Sequence, residues 1–360
     1  LWKMMLLNQF HDIIPGSSIH QVYEECEAEL TEGIAVSEAL TRKSLGAREE
    51  LDTLALVNPN SATFDDLIPL PEHWCGADLK GQPLPAQTTA GQCFARITLE
   101  PGATCVITPG EEHGISEPGA DLVLENERVR YQFNEALQLI GAYDKECDQS
   151  LLAEGASGNV LSLYEDRPHR FDAWDVDEYY PYSKLGEATV AGEIAALSGP
   201  CFDELSAELT VGSSTIRQTI RLREDSKRLD FVSTVQWTES HHMLRVAFPT
   251  SLDLDTASYE IQYGVVERTC RANSIADSAK FEVCGHRYAD LSRGDWGIAL
   301  LNDSKYGYRI FDGVMDLNLL RSPTDPDPIA DKGEHHFTYS LLPHRHHLSL
   351  TPEVRAEAAM

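Results

Sequence analysis

Ser214-Thr215-Ile216-Arg217-Gln218-Thr219-Ile220-Arg221-Leu222 alternates apolar and polar side chains, and Leu229-Asp230-Phe231-Val232-Ser233-Thr234-Val235-Gln236-Trp237 repeats the pattern a few residues on. Period two is the mark of a strand. Successive side chains point to opposite faces, so every second one can enter a core while its neighbours meet water or another layer. The pattern extends in both directions: Leu122-Val123-Leu124-Glu125 and Val129-Arg130-Tyr131-Gln132-Phe133 precede it, and Phe337-Thr338-Tyr339-Ser340-Leu341 follows. Alternation sustained over 121–360 predicts large antiparallel sheets packed face to face. No strand–helix–strand rhythm, fixed-period repeat or low-complexity tract is present.

Toward the N-terminus the pattern changes twice. Over 52–120, Pro59, Pro69, Pro71, Pro83, Pro85, Pro101 and Pro109 punctuate short runs such as Ala55-Leu56-Val57 and Cys93-Phe94-Ala95-Arg96-Ile97-Thr98-Leu99. That predicts a small antiparallel β-sandwich. Residues 1–51 read as helical. Pro15-Gly16 ends a first helix, and Ser18 with Gln21 three residues later predicts a capping box for a second. Ile19, Val22, Cys26, Leu30, Gly33, Ser37, Leu40 and Ser44 recur at three- and four-residue steps. This stripe, with its small residues, suits close packing on a neighbouring helix. A stub and one long helix cannot cover it, so a third helix is expected before Leu1. The chain opens inside an apolar pattern and stops inside helix-favouring Arg355–Met360, so both ends read as cuts through a larger protein.

Composition excludes several functions. The 360 residues carry a formal net charge of −29, which argues against nucleic acid and against an anionic membrane surface. No apolar run approaches the roughly 20 residues that span a bilayer. No signal peptide is visible. Eight cysteines occur without a Cys-x-x-Cys pair, so no thiolate zinc site is written in the spacing. They sit in apolar or strand-like stretches, as buried free thiols do, which points to a reducing cytoplasm.

The chemistry lies elsewhere. Asn8-Gln9-Phe10-His11-Asp12-Ile13-Ile14-Pro15-Gly16-Ser17-Ser18-Ile19 places an imidazole and a carboxylate side by side between two helical patterns, where the backbone can aim both at one ligand. The structural alternative is that His11 caps one helix and Asp12 starts the next turn. A second segment, Phe171-Asp172-Ala173-Trp174-Asp175, sets carboxylates round an aromatic ring, as sugar sites do; an acidic loop with a core Trp is the alternative. A third, Leu319-Leu320-Arg321-Ser322-Pro323, ends a strand in a guanidinium, which either meets substrate or clamps carboxylates of neighbouring strands.

These segments, together with Glu260–Arg268, Arg287–Ser292 and Gly297–Gly307, resemble glycoside hydrolase family 38, the zinc-dependent retaining α-mannosidases. Cys270-Arg271-Ala272-Asn273-Ser274 departs from the family pattern, lacking its Pro, His and Trp. The resemblance implies the end of a helical bundle over 1–51, a small β-sandwich over 52–120 and a mutarotase-like supersandwich over 121–360. It implies His11 as a zinc ligand and Asp12 as a sugar-hydroxyl acceptor, with Asp172, Trp174, Asp175 and Arg321 binding substrate across one cleft from that turn. It further implies one divalent cation, an α-mannoside substrate, and a nucleophile, acid/base and other zinc ligands upstream of residue 1. A retaining mechanism runs through a glycosyl-enzyme intermediate, so the chain by itself is expected to be inactive. A homo-oligomer is compatible with the sequence. Two rival readings are a stand-alone carbohydrate-binding β-module and a mutarotase-like isomerase. His335, His336, His344, His346 and His347 read as a strand followed by a solvated turn after Pro343, not as a metal site.

Overall fold

Alternation becomes burial strand by strand. In a computed structural model that describes residues 1–44, 52–111, 114–119 and 121–345, the strand Val129–Phe133 buries Val129, Tyr131 and Phe133 and exposes the residues between. Leu229–Trp237 buries Leu229, Phe231, Ser233, Val235 and Trp237 in the same way. This strand lies inside an 11-stranded sheet, between Ser214–Arg223 and Gly333–Arg345. A six-stranded sheet has at its centre His242–Pro249 and Val314–Arg321, and a four-stranded sheet holds Val129–Phe133. All three sheets contribute to one hydrophobic core. Phe231 stacks on Tyr339 at 4.9 Å between ring centroids and meets Phe248 of the six-stranded sheet at 5.6 Å. Inside this core Gln218 bonds Ser233, Tyr339 and Asn159, so its buried amide is satisfied.

Between Leu54 and Pro109 a four-stranded and a three-stranded sheet enclose a second core, which includes Ala77, Ala95, Ile97 and Ile107. This small sandwich is fastened to the large sheet by polar contacts. Gln87, fully buried, accepts from Cys201 N at 2.8 Å and donates to the Phe202 carbonyl at 2.9 Å. The Arg221 guanidinium lies 4.5 Å from the Phe94 ring centroid and 4.3 Å from that of Phe202. Asp66 receives Arg223 and Arg228 at 2.9 and 2.7 Å. Burial works to raise the Asp66 carboxyl, and the two guanidinium groups outweigh it and hold the group below its ordinary value.

Two helices precede the sheets, α1 (Trp2–Leu7) and α2 (His20–Ser44). Gly33 of α2 is where Met4 of α1 comes closest, and a methyl group at position 33 would collide with it. The small residue serves helix–helix approach, as the stripe predicts. The rest of the stripe is left uncovered by α1, as a stub and one long helix would leave it: of α2, Cys26 and Gly33 alone are buried, while Ile19, Leu30 and Leu40 are exposed. The helical reading of residues 45–51 lies outside the described residues. The capping box is corrected. Ser18 turns its hydroxyl back to the Asp12 carbonyl at 2.8 Å, and Gln21 reaches forward to Glu25.

His344 is a second correction. It lies within the strand Gly333–Arg345, buried, with Nε2 2.9 Å from Asp290. Pro343 does not end that strand because its pairing with Leu229–Trp237 stops at Leu341. Beyond that point, pairing continues with Trp296–Asn302 alone, Pro343 facing Ile298, and a missing N–H costs little on an unpaired side. His346 and His347 lie outside the described residues.

Candidate functional site

The segment after α1 is a chain of turns closed by Gly16 at φ +79°. Its centre is the Asp12 backbone carbonyl, which accepts from Ser17 N at 3.2 Å, Ser18 Oγ at 2.8 Å and Tyr23 Oη at 3.2 Å. Tyr23 accepts in turn from Ser18 N at 2.9 Å. Three hydroxyl and amide donors thus fix the residue whose side chain matters. Asp12 Oδ1 is buried and has no hydrogen-bond partner. Its Oδ2 lies 3.6 Å from His11 Nε2, and the His11 side chain is 72% exposed. A buried carboxylate oxygen without a donor costs free energy unless something else satisfies it. Neutral imidazole and carboxylate are donors that zinc accepts. Among the described residues, however, no group of three His, Cys, Asp or Glu side chains stands close enough to hold a metal ion.

The second and third segments come together at one strand end. Arg321 Nε donates to Asp166 Oδ2 at 2.6 Å, and its Nη2 donates to the carbonyls of Asp172 and Asp175 at 2.9 and 2.8 Å. Its Nη1 has no partner among the described residues. Asp166 is 2% exposed. Burial pushes its carboxyl above the ordinary value even with Arg321 beside it. The Asp172 carboxylate is taken up inside the protein: it accepts from Thr324 N at 2.8 Å and Asp325 N at 2.9 Å, and His241 Nδ1 lies 3.2 Å away. Asp172 therefore holds the loop after Arg321. Its oxygens are spent on backbone amides some 150 residues further along the chain. Trp174 is 58% exposed, and no hydrogen bond engages the Asp175 carboxylate among the described residues.

The loop held by Asp172 reaches the helical segment. His20 Nδ1, at the start of α2, lies 3.1 Å from Asp327 Oδ2. Tyr23, which fixes Asp12, feels the charges of Asp327 and Asp331, and burial raises its hydroxyl above the ordinary value. Sequence reasoning missed Asp166, Asp327 and Tyr23. Asp327 carried a signal, a carboxylate between two prolines, and Asp166 a weaker one, a carboxylate two residues before Pro168 at the end of a strand-like run, whereas nothing local marked Tyr23.

Residues 124–329 match the family model described as glycosyl hydrolases family 38 C-terminal domain, more than half of the chain, and residues 1–47 match that of the alpha mannosidase middle domain. The chain belongs to glycosyl hydrolase family 38. Within this family it is 32% identical over 354 residues to alpha-mannosidase 2C1 of Homo sapiens, covering 96% of this chain and 33% of that protein. It is 31% identical over 397 residues to alpha-mannosidase G of Dictyostelium discoideum, covering 96% and 36%. The chain thus spans about a third of the length of the curated relatives it matches. An alpha-mannosidase from Enterococcus faecalis V583 superposes with a TM-score of 0.75 at 16% identity, over 99% of this chain and 52% of that one. That likeness supports the family fold described above, mainly β with a short helical start.

Proposed function

We propose that this chain is the part of a retaining α-mannosidase that closes the sugar site, with His11 as one zinc ligand and Asp12 as an acceptor for mannose hydroxyls. The observation that carries the reading is the buried, unpartnered Oδ1 of Asp12 beside the exposed ring of His11, inside residues that match the middle domain. When bound, zinc supplies a Lewis-acid charge for sugar hydroxyls. Asp12 accepts a hydroxyl proton donor at Oδ1, and Tyr23, Ser17 and Ser18 hold its backbone while it does so. Trp174 offers an apolar face to a pyranose and Asp175 an acceptor at its rim. Arg321 holds the loop that carries both and keeps Nη1 for a substrate oxygen. The loop anchored by Asp172 meets α2 at His20, which supports one cleft shared by these side chains and the His11-Asp12 turn.

The nucleophile, the acid/base and the remaining zinc ligands are assigned to the length of the relatives that this chain does not span. The relatives' names support a terminal α-mannoside as substrate. The units 1–51, 52–120 and 121–360 are proposed as the divisions of the chain. All eight cysteines are free, which supports a reducing compartment such as the cytoplasm. No helix among the described residues is long and apolar enough to cross a membrane.

The test uses an enzyme with the relatives' full length. His11→Ala should lose zinc and turnover together. Asp12→Asn should keep zinc and lose turnover, because its oxygen serves the sugar. Metal analysis with an aryl α-mannoside assay decides it: an Asp12→Asn enzyme without zinc, or a fully active His11→Ala enzyme, overturns the assignment.

A further inference from the structure

A cavity of about 390 Å3 lies beside the hairpin formed by Thr256–Ile261 and Gly264–Thr269, and none of its lining residues belongs to the region around Asp12. Its size is within the roughly 300–1,000 Å3 of small-ligand sites. Tyr263 stands at the hairpin tip, wholly exposed. Tyr306 is half exposed and meets the His286 ring edge-on at 5.5 Å between centroids. Both tyrosines line the cavity and keep ring surface open to solvent.

The backbone at Tyr263 has φ +59°. For a bulky residue that is an outlier, a position where glycine would sit with less strain. The polar lining divides in two. Arg287 is locked to Glu260, with its Nε at 3.1 and 3.0 Å from the two carboxylate oxygens and its backbone N at 2.9 Å. That pair forms a fixed floor. The Tyr263 and Tyr306 hydroxyls, the His286 ring and the Gln262 amide have no hydrogen-bond partner among the described residues. A second cavity, of about 250 Å3, shares Asn302 and Asp303 with the first, so the concave surface continues past a single ring.

Aromatic faces beside a fixed polar pair and several free donors and acceptors match one ligand chemistry well. A pyranose stacks its C–H face on an aromatic ring and spends its hydroxyls on convergent polar groups. We propose that this cavity is a second carbohydrate site, taking a pyranoside oligosaccharide, with Tyr263 and Tyr306 as stacking platforms. The mannoside reading above enters only in the choice of the first probe.

Isothermal titration of this chain with α-mannotriose, and with maltotriose as a second sugar, tests the site. Saturable binding of either sugar is expected. Tyr263→Gly and Tyr306→Ala should each weaken it at least tenfold. Because Tyr263→Gly relieves a left-handed backbone, its Tm should stay level or rise, which separates loss of a ligand contact from loss of fold. Absence of saturable binding by both sugars, or unchanged affinity in the two tyrosine variants, overturns the proposal. Failure of the zinc assignment would instead show in the metal content of His11→Ala, which this titration does not touch.

Discussion

Arg321→Ala removes the cation from a carboxylate that is 2% exposed, together with both bonds to the Asp172 and Asp175 carbonyls. Breaking a buried ion pair from one side costs about 3–5 kcal/mol. The lower end applies here, because burial already raises the Asp166 carboxyl and a proton can neutralise it once Arg321 is gone. A loss of about 3 kcal/mol corresponds to about 5–6 °C in Tm for a cooperative unit of roughly 300 residues. The pH dependence has a defined sign. An acid whose folded pKa is raised binds its proton more tightly when folded, so stability is gained as pH falls through that value. Removing Arg321 raises the value further, and the deficit of Arg321→Ala should shrink between pH 7 and pH 5. Thermal melts at both pH values, on Arg321→Ala, Asp166→Asn and the double variant, measure this. In the double variant no buried charge is left without its partner, so its loss should fall short of the sum of the single losses by roughly 2 kcal/mol. Additive losses, or an Arg321→Ala protein within about 0.5 kcal/mol of the parent, would refute the clamp.

The 360-residue chain alone, supplied with zinc, should not turn over an aryl α-mannoside. Robust hydrolysis abolished by substitutions within the chain would show a complete site. Glu146 accepts from Arg128 and lies 2.8 Å from Lys227, and hydrogen bonds from these two groups bring its carboxyl down from 4.5 to about 2. The stability it contributes is therefore present above pH about 4.5 and lost as pH falls through about 2. Glu146→Gln should flatten the acid limb of a stability–pH curve, and an unchanged limb would disprove the coupling. Reloaded with excess zinc, His11→Ala enzyme of full length should give the metal up to a chelator sooner than the parent, as read by metal content.

The β-region was legible because alternation is local. Val129–Phe133 and Leu229–Trp237 have the bounds that their period-two runs predict. What failed depended on partners distant in sequence or outside the expected geometry. Ser18 has the right spacing for a capping box, yet the folded turn offers its hydroxyl the Asp12 carbonyl first. Asp172 stands beside Trp174 and Asp175 in sequence, but the amides of Thr324 and Asp325 that donate to it lie too far along the chain to be read locally. Arg321 was legible as a residue that does one of two things, and the structure shows the clamp while leaving Nη1 open. The pairing of His11 with Asp12 needed no tertiary information, since the two are adjacent. The burial of Asp12 Oδ1 did need it.

The Gln87 side chain copies a peptide group: its amide takes the amide N–H of Cys201 and gives its own to the carbonyl of Phe202, with no access to water. A splice of that kind makes melting cooperative across the seam. The small sandwich cannot open without stranding two backbone groups of the large sheet, and the large sheet cannot open without stranding an amide in the sandwich. Heat capacity should therefore trace one absorption peak for residues 52–345, and Gln87→Leu should split it in two. A boundary that is plain in the composition of the chain would then be no boundary at all in its thermodynamics.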